Sequence, residues 1–410
     1  VLNNGVKVVL KPTKNKDDEL LFSAFSDGGI SLVQKLNELP SAHLADAIID
    51  NNGVGKFSAI DLGKMLAGKV VSVSPYISGY SEGLKGGSSV KDVETLLQLS
   101  YLYFTAPRKD NKAFEAQMNN YKTALANAKM DPRTSFKDSV SLLSANYHPR
   151  AILMNLETLE QVNQKTALKI YKQRFANPAD FTFVFVGNIN LDSIKPLILK
   201  YIGGLKTTAN KENWKDNNVR YPIGKKTCDF NREMKVSKSS VYVLLSGGLP
   251  YNLTNRVNFD ALADILDIRY TETIREQEGG TYGVRVRADV TNKPQEQVTL
   301  SIQFDTDPSK REKLVKLVYQ QLDSIVANGP LELDLQKVKL NLIKQYKENL
   351  EENSWWLGAI NLYEKDGIYL TKDYVDEVNK LSAESIKESL KALMIQQNRL
   401  EVFMNPKLKE

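Results

Sequence analysis

Leu20-Leu21-Phe22-Ser23-Ala24-Phe25-Ser26-Asp27-Gly28-Gly29 and Ser240-Val241-Tyr242-Val243-Leu244-Leu245-Ser246-Gly247-Gly248 decide the fold. Each is an apolar run of strand length, and each stops at a double glycine. Outward from the first, Asn4-Gly5 is a turn that leads into a strand over Val6–Lys11. Residues 31–65 read as two helices broken at Asn51-Asn52-Gly53, and Lys69–Ile77 pairs with Tyr80–Gly87 through Ser78-Gly79. Ser89-Val90-Lys91-Asp92 has the form of a capping box before a helix with Val93, Leu96, Leu97, Ser100, Tyr101 and Phe104 at helical spacing. Helices fit Asn111–Lys129, Thr134–Ala145 and Gln161–Phe175, then a buried strand Phe181–Gly187 and a helix Leu191–Tyr201 ended by Gly203-Gly204.

Outward from the second, the same order returns. Strands Thr227–Met234 and Ser240–Leu245 precede a long helix, Asn255–Gln277, with Phe259, Ala263, Leu266, Tyr270 and Ile274 on one face. Strands Tyr282–Val290 and Gln297–Asp305 follow, and Asp307-Pro308 opens a helix with Asp at the N-cap and Pro at N1. Helices over Leu331–Leu350, Ser354–Tyr363 and Ala383–Leu393 lead to a last strand, Arg399–Met404. Both halves therefore read strand, strand, helix, strand, strand, several helices, strand. The expected architecture is α+β: two tandem homologous domains, 1–205 and 227–410, each a mostly antiparallel sheet covered by helices. Residues 206–226 are polar and aperiodic and read as a linker.

Composition agrees with a folded chain of this size. At ~100–200 residues per domain, 410 residues suggest two or three domains. Apolar residues are 42% and charged residues 25%, so disorder is not expected. The net charge of +6 is a weak field, and the basic pairs in Lys11–Lys16 and Lys225-Lys226 suit a solvated surface better than a nucleic-acid stripe. Cys228 is the single cysteine, which excludes an internal disulfide and a multi-cysteine metal site. His43 and His148 are the only histidines, so a His-based zinc site must use one or both. No apolar run reaches the ~18 residues of a membrane span. The chain opens inside a turn and strand, which reads as a segment of a longer polypeptide whose targeting signal lies elsewhere.

Arg275-Glu276-Gln277-Glu278-Gly279-Gly280-Thr281-Tyr282-Gly283-Val284 closely resembles the R-E-x-x-G-G-x-Y-x-V segment of the pitrilysin-type (insulinase-like) zinc metallopeptidases. Asn4-Gly5-Val6-Lys7-Val8, Phe183-Val184-Phe185-Val186-Gly187-Asn188 and Leu197–Leu205 with Tyr201 resemble family positions too. The likeness runs along essentially the whole chain and points to the carboxy-terminal half of the large bacterial members. In that family each half is two domains of one fold, and the halves close around an extended peptide. The resemblance implies that Arg275 and Tyr282 hold the substrate backbone and the tetrahedral oxyanion, with Gly279 and Gly280 forming the turn between them. A fixed guanidinium and a phenolic donor suit that task, since they meet developing charge without reorganising. Without the resemblance, Arg275 reads as a helix-end cation and Tyr282 as a sheet residue.

The catalytic half of the family carries H-x-x-E-H, whose two His bind zinc and whose Glu is the general base. Here the matching place reads Ala42-His43-Leu44-Ala45-Asp46-Ala47. The first His is present, Glu is shortened to Asp46, and the second His is Ala47, so this is a degenerate counterpart. No metal is expected in this segment, and zinc is expected in a partner half on the same polypeptide. Peptides would add as a strand to a sheet edge of that half. The implied role is the noncatalytic, substrate-clamping half of a zinc endopeptidase that acts on peptides or unfolded polypeptides, in a periplasmic or other extracytoplasmic location. The alternatives are a separately encoded noncatalytic subunit and a peptide-binding scaffold. His148, before Pro149, reads as a loop residue. Gly79, Gly83, Gly86 and Gly87 lack the Lys-Ser/Thr ending of a phosphate loop. Trp355-Trp356 and Tyr363 read as core or domain interface, and Glu348–Glu352 as a solvated helix face.

Overall fold

A computed structural model describes residues 1–208 and 211–407. The strands are β1 (Lys7–Pro12), β2 (Leu20–Asp27), β3 (Val71–Ile77), β4 (Ser81–Ser88) and β5 (Thr182–Gly187), then β6 (Lys225–Arg232), β7 (Ser239–Gly247), β8 (Val284–Thr291), β9 (Gln297–Thr306) and β10 (Arg399–Pro406). They form two five-stranded sheets, ordered β1-β5-β2-β4-β3 and β6-β10-β7-β9-β8. The two orders are the same when the second is renumbered from one. In each, the first and last strands pair parallel and all other pairs are antiparallel. The α+β reading of one fold used twice is what the chain adopts.

The continuous apolar run of β5 has a direct cause, because that strand is buried on both faces. Phe183 and Phe185 face the main core of the first sheet, where the rings of Phe22 and Phe185 lie 5.0 Å apart. Val184 and Val186 point the other way and meet Trp356, Leu357 and Ile360 of the helix Asn353–Asp366. The second sheet mirrors this. Leu244, Leu400, Val402 and Met404 pack with Phe136, Val140 and Leu143 of the helix Pro132–Ser144. Each sheet is thus covered on its second face by a helix encoded in the opposite half.

The compact units are accordingly discontinuous. One holds Val1–Ala126, Ile152–Asn217 and Asn349–Gly367, and the other Asn127–Ala151, Asn218–Glu348 and Ile368–Glu410. They differ from the continuous segments 1–205 and 227–410 by these exchanged pieces. The stretch expected as a linker is also held down where it is described. The Lys215 amide donates to Ser31 Oγ at 2.9 Å, Asn217 Nδ2 donates to the Ser31 carbonyl at 2.9 Å, and Trp214 sits edge-on to Tyr80 at 5.6 Å.

Local differences from the sequence reading have local reasons. Residues 31–65 hold short helical pieces, among them Leu39–Ala42, Ala45–Asn52 and Ala59–Met65, instead of two continuous helices. Ser89 makes no capping bond, because its hydroxyl donates to the Asp92 carboxylate at 2.7 Å while that carboxylate accepts the Val70 amide at 2.9 Å. A helix at Leu370–Lys380 has no counterpart in the sequence reading. Asp307 and Pro308 open their helix as expected, with the Asp307 carboxylate accepting the Ser309 amide at 2.8 Å.

Candidate functional site

The site begins with the helix Leu253–Tyr270, capped by Asn252, whose side chain accepts the Asn255 amide. It buries Phe259, Leu262, Ile265, Leu266 and Tyr270. The sequence reading carries this α-helix to Gln277, but at Thr271 it widens into a π-helical segment, Thr271–Gln277. Such widened turns are often found at functional sites. Ile274 stays wholly buried while Arg275, the next residue, is exposed.

The double glycine ends this segment. Gly279 adopts φ +55°, the left-handed region open to glycine, and its amide donates to the Arg275 carbonyl at 3.1 Å. The Gly280 amide donates to the Ile274 carbonyl at 3.2 Å. A Cβ on Gly280 would lie 2.6 Å from Leu314 Cδ1, so any larger residue there would have to push that buried leucine side chain aside. The chain then passes Tyr282, which is 101% exposed, and enters β8 at Val284. The strand thus starts two residues later than the sequence reading placed it, leaving Tyr282 on the approach to the sheet.

Among the described residues, neither the Arg275 guanidinium nor the Tyr282 hydroxyl has a hydrogen-bond or ion-pair partner. Their surroundings are well bonded. Lys313 pairs with Glu278 at 2.6 Å, and Lys310 and Thr306 bond the carbonyls of residues 278–280. The result is a hydrogen-bonded turn flanked by an open cation and an open phenol.

The zinc-helix counterpart does not fit a metal. The helix is interrupted there, with His43 the exposed C-cap of Leu39–Ala42 and a new helix starting at Ala45. Both oxygens of Asp46 are occupied by main-chain amides, that of Ala47 at 2.8 Å and that of Ile77, the last residue of β3, at 3.0 Å. Burial pushes this carboxyl above its ordinary range, and the two amides pull it back. Ala47 offers no ligand. His148 accepts the Arg150 amide at 3.2 Å in a loop. Among the described residues no three His, Cys, Asp or Glu side chains are grouped as a metal site, and no helix is long and apolar enough to cross a membrane.

The other motifs have structural duties. A Cβ on Gly83 would lie 1.9 Å from the Ala24 carbonyl oxygen, and one on Gly86 2.0 Å from that of Ser72, so these glycines permit close strand approach. Cys228 is half-buried on the edge strand β6. The sequence reading missed the π-helical segment and the lysine and threonine under the turn, since neither leaves a periodic signal.

Residues 164–342 match the family model described as the Peptidase M16 inactive domain. That segment resembles a Peptidase M16 inactive domain. The resemblance to the carboxy-terminal half of pitrilysin-type peptidases is borne out. The match spans the 206–226 stretch and includes Arg275, Gly279, Gly280 and Tyr282. Among the proteins this chain is similar to is the zinc protease PQQL-like of Arabidopsis thaliana, 26% identical over 88% of this chain and 36% of that protein. The periplasmic protease PqqL of Escherichia coli superposes with a TM-score of 0.85 at 21% identity, over 99% of this chain and 45% of that one. A protease from Helicobacter pylori superposes with a TM-score of 0.84 at 16% identity, over 99% of this chain and 98% of that one. The chain spans about two-fifths of the length of the curated relatives it matches.

Proposed function

We propose that this chain is the noncatalytic, substrate-clamping half of a zinc-dependent endopeptidase acting on peptides or unfolded polypeptides. One observation carries the reading: Arg275 is exposed, Tyr282 is 101% exposed, and both are unpaired on either side of a fixed turn, in a chain whose own zinc-motif counterpart cannot hold metal. Side chains held on rigid backbone with nothing to bond are suited to an incoming main chain or oxyanion. In this reading Arg275 and Tyr282 are the chain's catalytic groups. In this reading zinc and the general base come from a partner half on the same polypeptide, which is supported by curated relatives that are more than twice as long as the matched region. The compartment proposed is extracytoplasmic, after the periplasmic PqqL.

The test has two arms. Equilibrium dialysis of the chain alone should find no stoichiometric tight zinc, and the chain alone should cleave nothing in a chelator-sensitive way. In the full polypeptide, Arg275→Ala should lower kcat/KM far more than it lowers stability. Unchanged turnover in that variant would remove the clamp.

A second reading, a separately encoded noncatalytic subunit, is favoured by the Helicobacter pylori protease, whose chain is matched along 98% of its own length. The reading frame upstream of Val1 separates the two.

A further inference from the structure

We infer that Lys310 and Thr306 are positioning residues for the Arg275–Tyr282 pair, acting by holding the three consecutive carbonyls of the turn that joins them; this rests on the clamp reading above. A helix end leaves its last carbonyls without partners inside the helix, and water ordinarily serves. Here the carbonyls of Glu278, Gly279 and Gly280 are taken by one junction, the passage from β9 into the helix Arg311–Asn328. Lys310 Nζ donates to the Glu278 carbonyl at 3.0 Å and the Gly279 carbonyl at 3.5 Å. Thr306 Oγ1 donates to the Gly280 carbonyl at 2.6 Å, in a buried bond.

The allocation of lysines is informative. Lys313 satisfies the nearby Glu278 carboxylate, so Lys310 is left to bond main chain. Thr281 closes the last part of the turn, its hydroxyl donating to the Gly283 carbonyl at 3.0 Å and accepting the Gly283 amide at 3.3 Å around Tyr282. Tyr282 has no side-chain contact of its own to fix it, so its place is set by this backbone. Arg275 lies at the other end, its carbonyl bonded to the Gly279 amide at 3.1 Å. A shift of ~1 Å in a group that meets the transition state can cost ~100-fold in rate. Loosening the turn would therefore reach both ends of the clamp.

The experiment uses the full polypeptide with its zinc-bearing half and an internally quenched peptide pool as substrate. Lys310→Met keeps the aliphatic stem and removes the donor. It should lower kcat about tenfold, leave KM within about twofold, and leave the melting temperature close to that of the parent. Lys310→Arg should restore most of the loss, and Thr306→Val should reproduce the kcat effect. Arg275→Ala is the reference. If Arg275→Ala lowers kcat/KM while Lys310→Met and Thr306→Val, both folded, do not, the positioning role is overturned and the clamp stands. If Arg275→Ala has no effect, the clamp and the positioning role fall together. A loss that tracks melting temperature and is not rescued by Lys310→Arg would mark the lysine as structural only and would also overturn the inference.

Discussion

The ammonium of Lys11 lies 4.1 Å above the ring of Trp356. The contact joins the edge strand β1 to a helix the chain reaches only after four strands of the second sheet are laid down. At the start of that helix Asn353 is fully buried. It donates from Nδ2 to Glu19 at 2.9 Å and accepts at Oδ1 from the Thr13 hydroxyl at 2.6 Å. The second face of the first sheet is therefore covered by a helix that the chain supplies only from residue 353 onward.

That order of construction predicts the behaviour of a truncated chain. Residues 1–217 alone leave Phe25, Val184 and Val186 uncovered. Such a fragment should bind a hydrophobic dye, and a synthetic peptide of residues 349–367 should displace the dye by covering the strip. A fragment that is monomeric and dye-free without the peptide would contradict the exchange. In the full chain Phe136→Ala, at a residue 4% exposed, should cost ~3–5 kcal/mol in urea unfolding, although Phe136 lies outside the sequence segment that builds the second sheet.

The buried strands were legible because burial on one or both faces writes a period of two or an unbroken apolar run, as in β5 and β7, whereas β6, which has no buried residue, was legible only from its place in the repeated order of elements. The helix exchange was not, since Phe136 and Trp356 carry ordinary helical spacing that does not say which sheet they cover. The Arg275–Tyr282 segment was legible as a motif. Its π-helical turn was not, because Tyr270 and Ile274 keep a four-residue spacing that an α-helix satisfies equally well. Lys310 and Thr306 were invisible for another reason. They act on main-chain carbonyls distant in sequence, and such contacts place no demand on the pattern around them.

Glu82 gives a pH prediction. It is 1% exposed, bonded to the Gly29 amide, and burial raises its pKa to about 8, with Arg174 opposing and Glu212 and Asp27 assisting. The folded chain therefore holds a proton that the unfolded chain releases near the ordinary carboxyl range. Stability from this group is present at low pH and is lost as pH rises from about 4.5 through about 8, by an amount on the order of several kcal/mol. Urea unfolding at pH 5, 7 and 9 should show that decline, and Glu82→Gln should flatten it. An unchanged slope in the variant would assign the decline to other groups.

Arg275→Ala and Tyr282→Phe should separate activity from stability. Both side chains are exposed and unpaired, so each change should move unfolding free energy by no more than ~0.5 kcal/mol. On the clamp proposed above, loss of either donor should cost the full-length polypeptide ~100-fold or more in kcat. Measuring kcat beside the urea midpoint decides this, and a fall in both together would point to folding instead.

Restoring the ligand letters should fail to restore the metal. Asp46→Glu with Ala47→His rebuilds the H-x-x-E-H pattern from His43, yet His43 sits at the break between two helices and not on one continuous face. The longer carboxylate would also leave the Ile77 amide, which Asp46 now accepts at 3.0 Å, without its partner. A buried donor left unmet costs ~1–3 kcal/mol. The double variant should therefore lose stability and gain no stoichiometric zinc in equilibrium dialysis. Tight one-to-one zinc would mean that the helix break closes readily and that this half retains the geometry of a metal site.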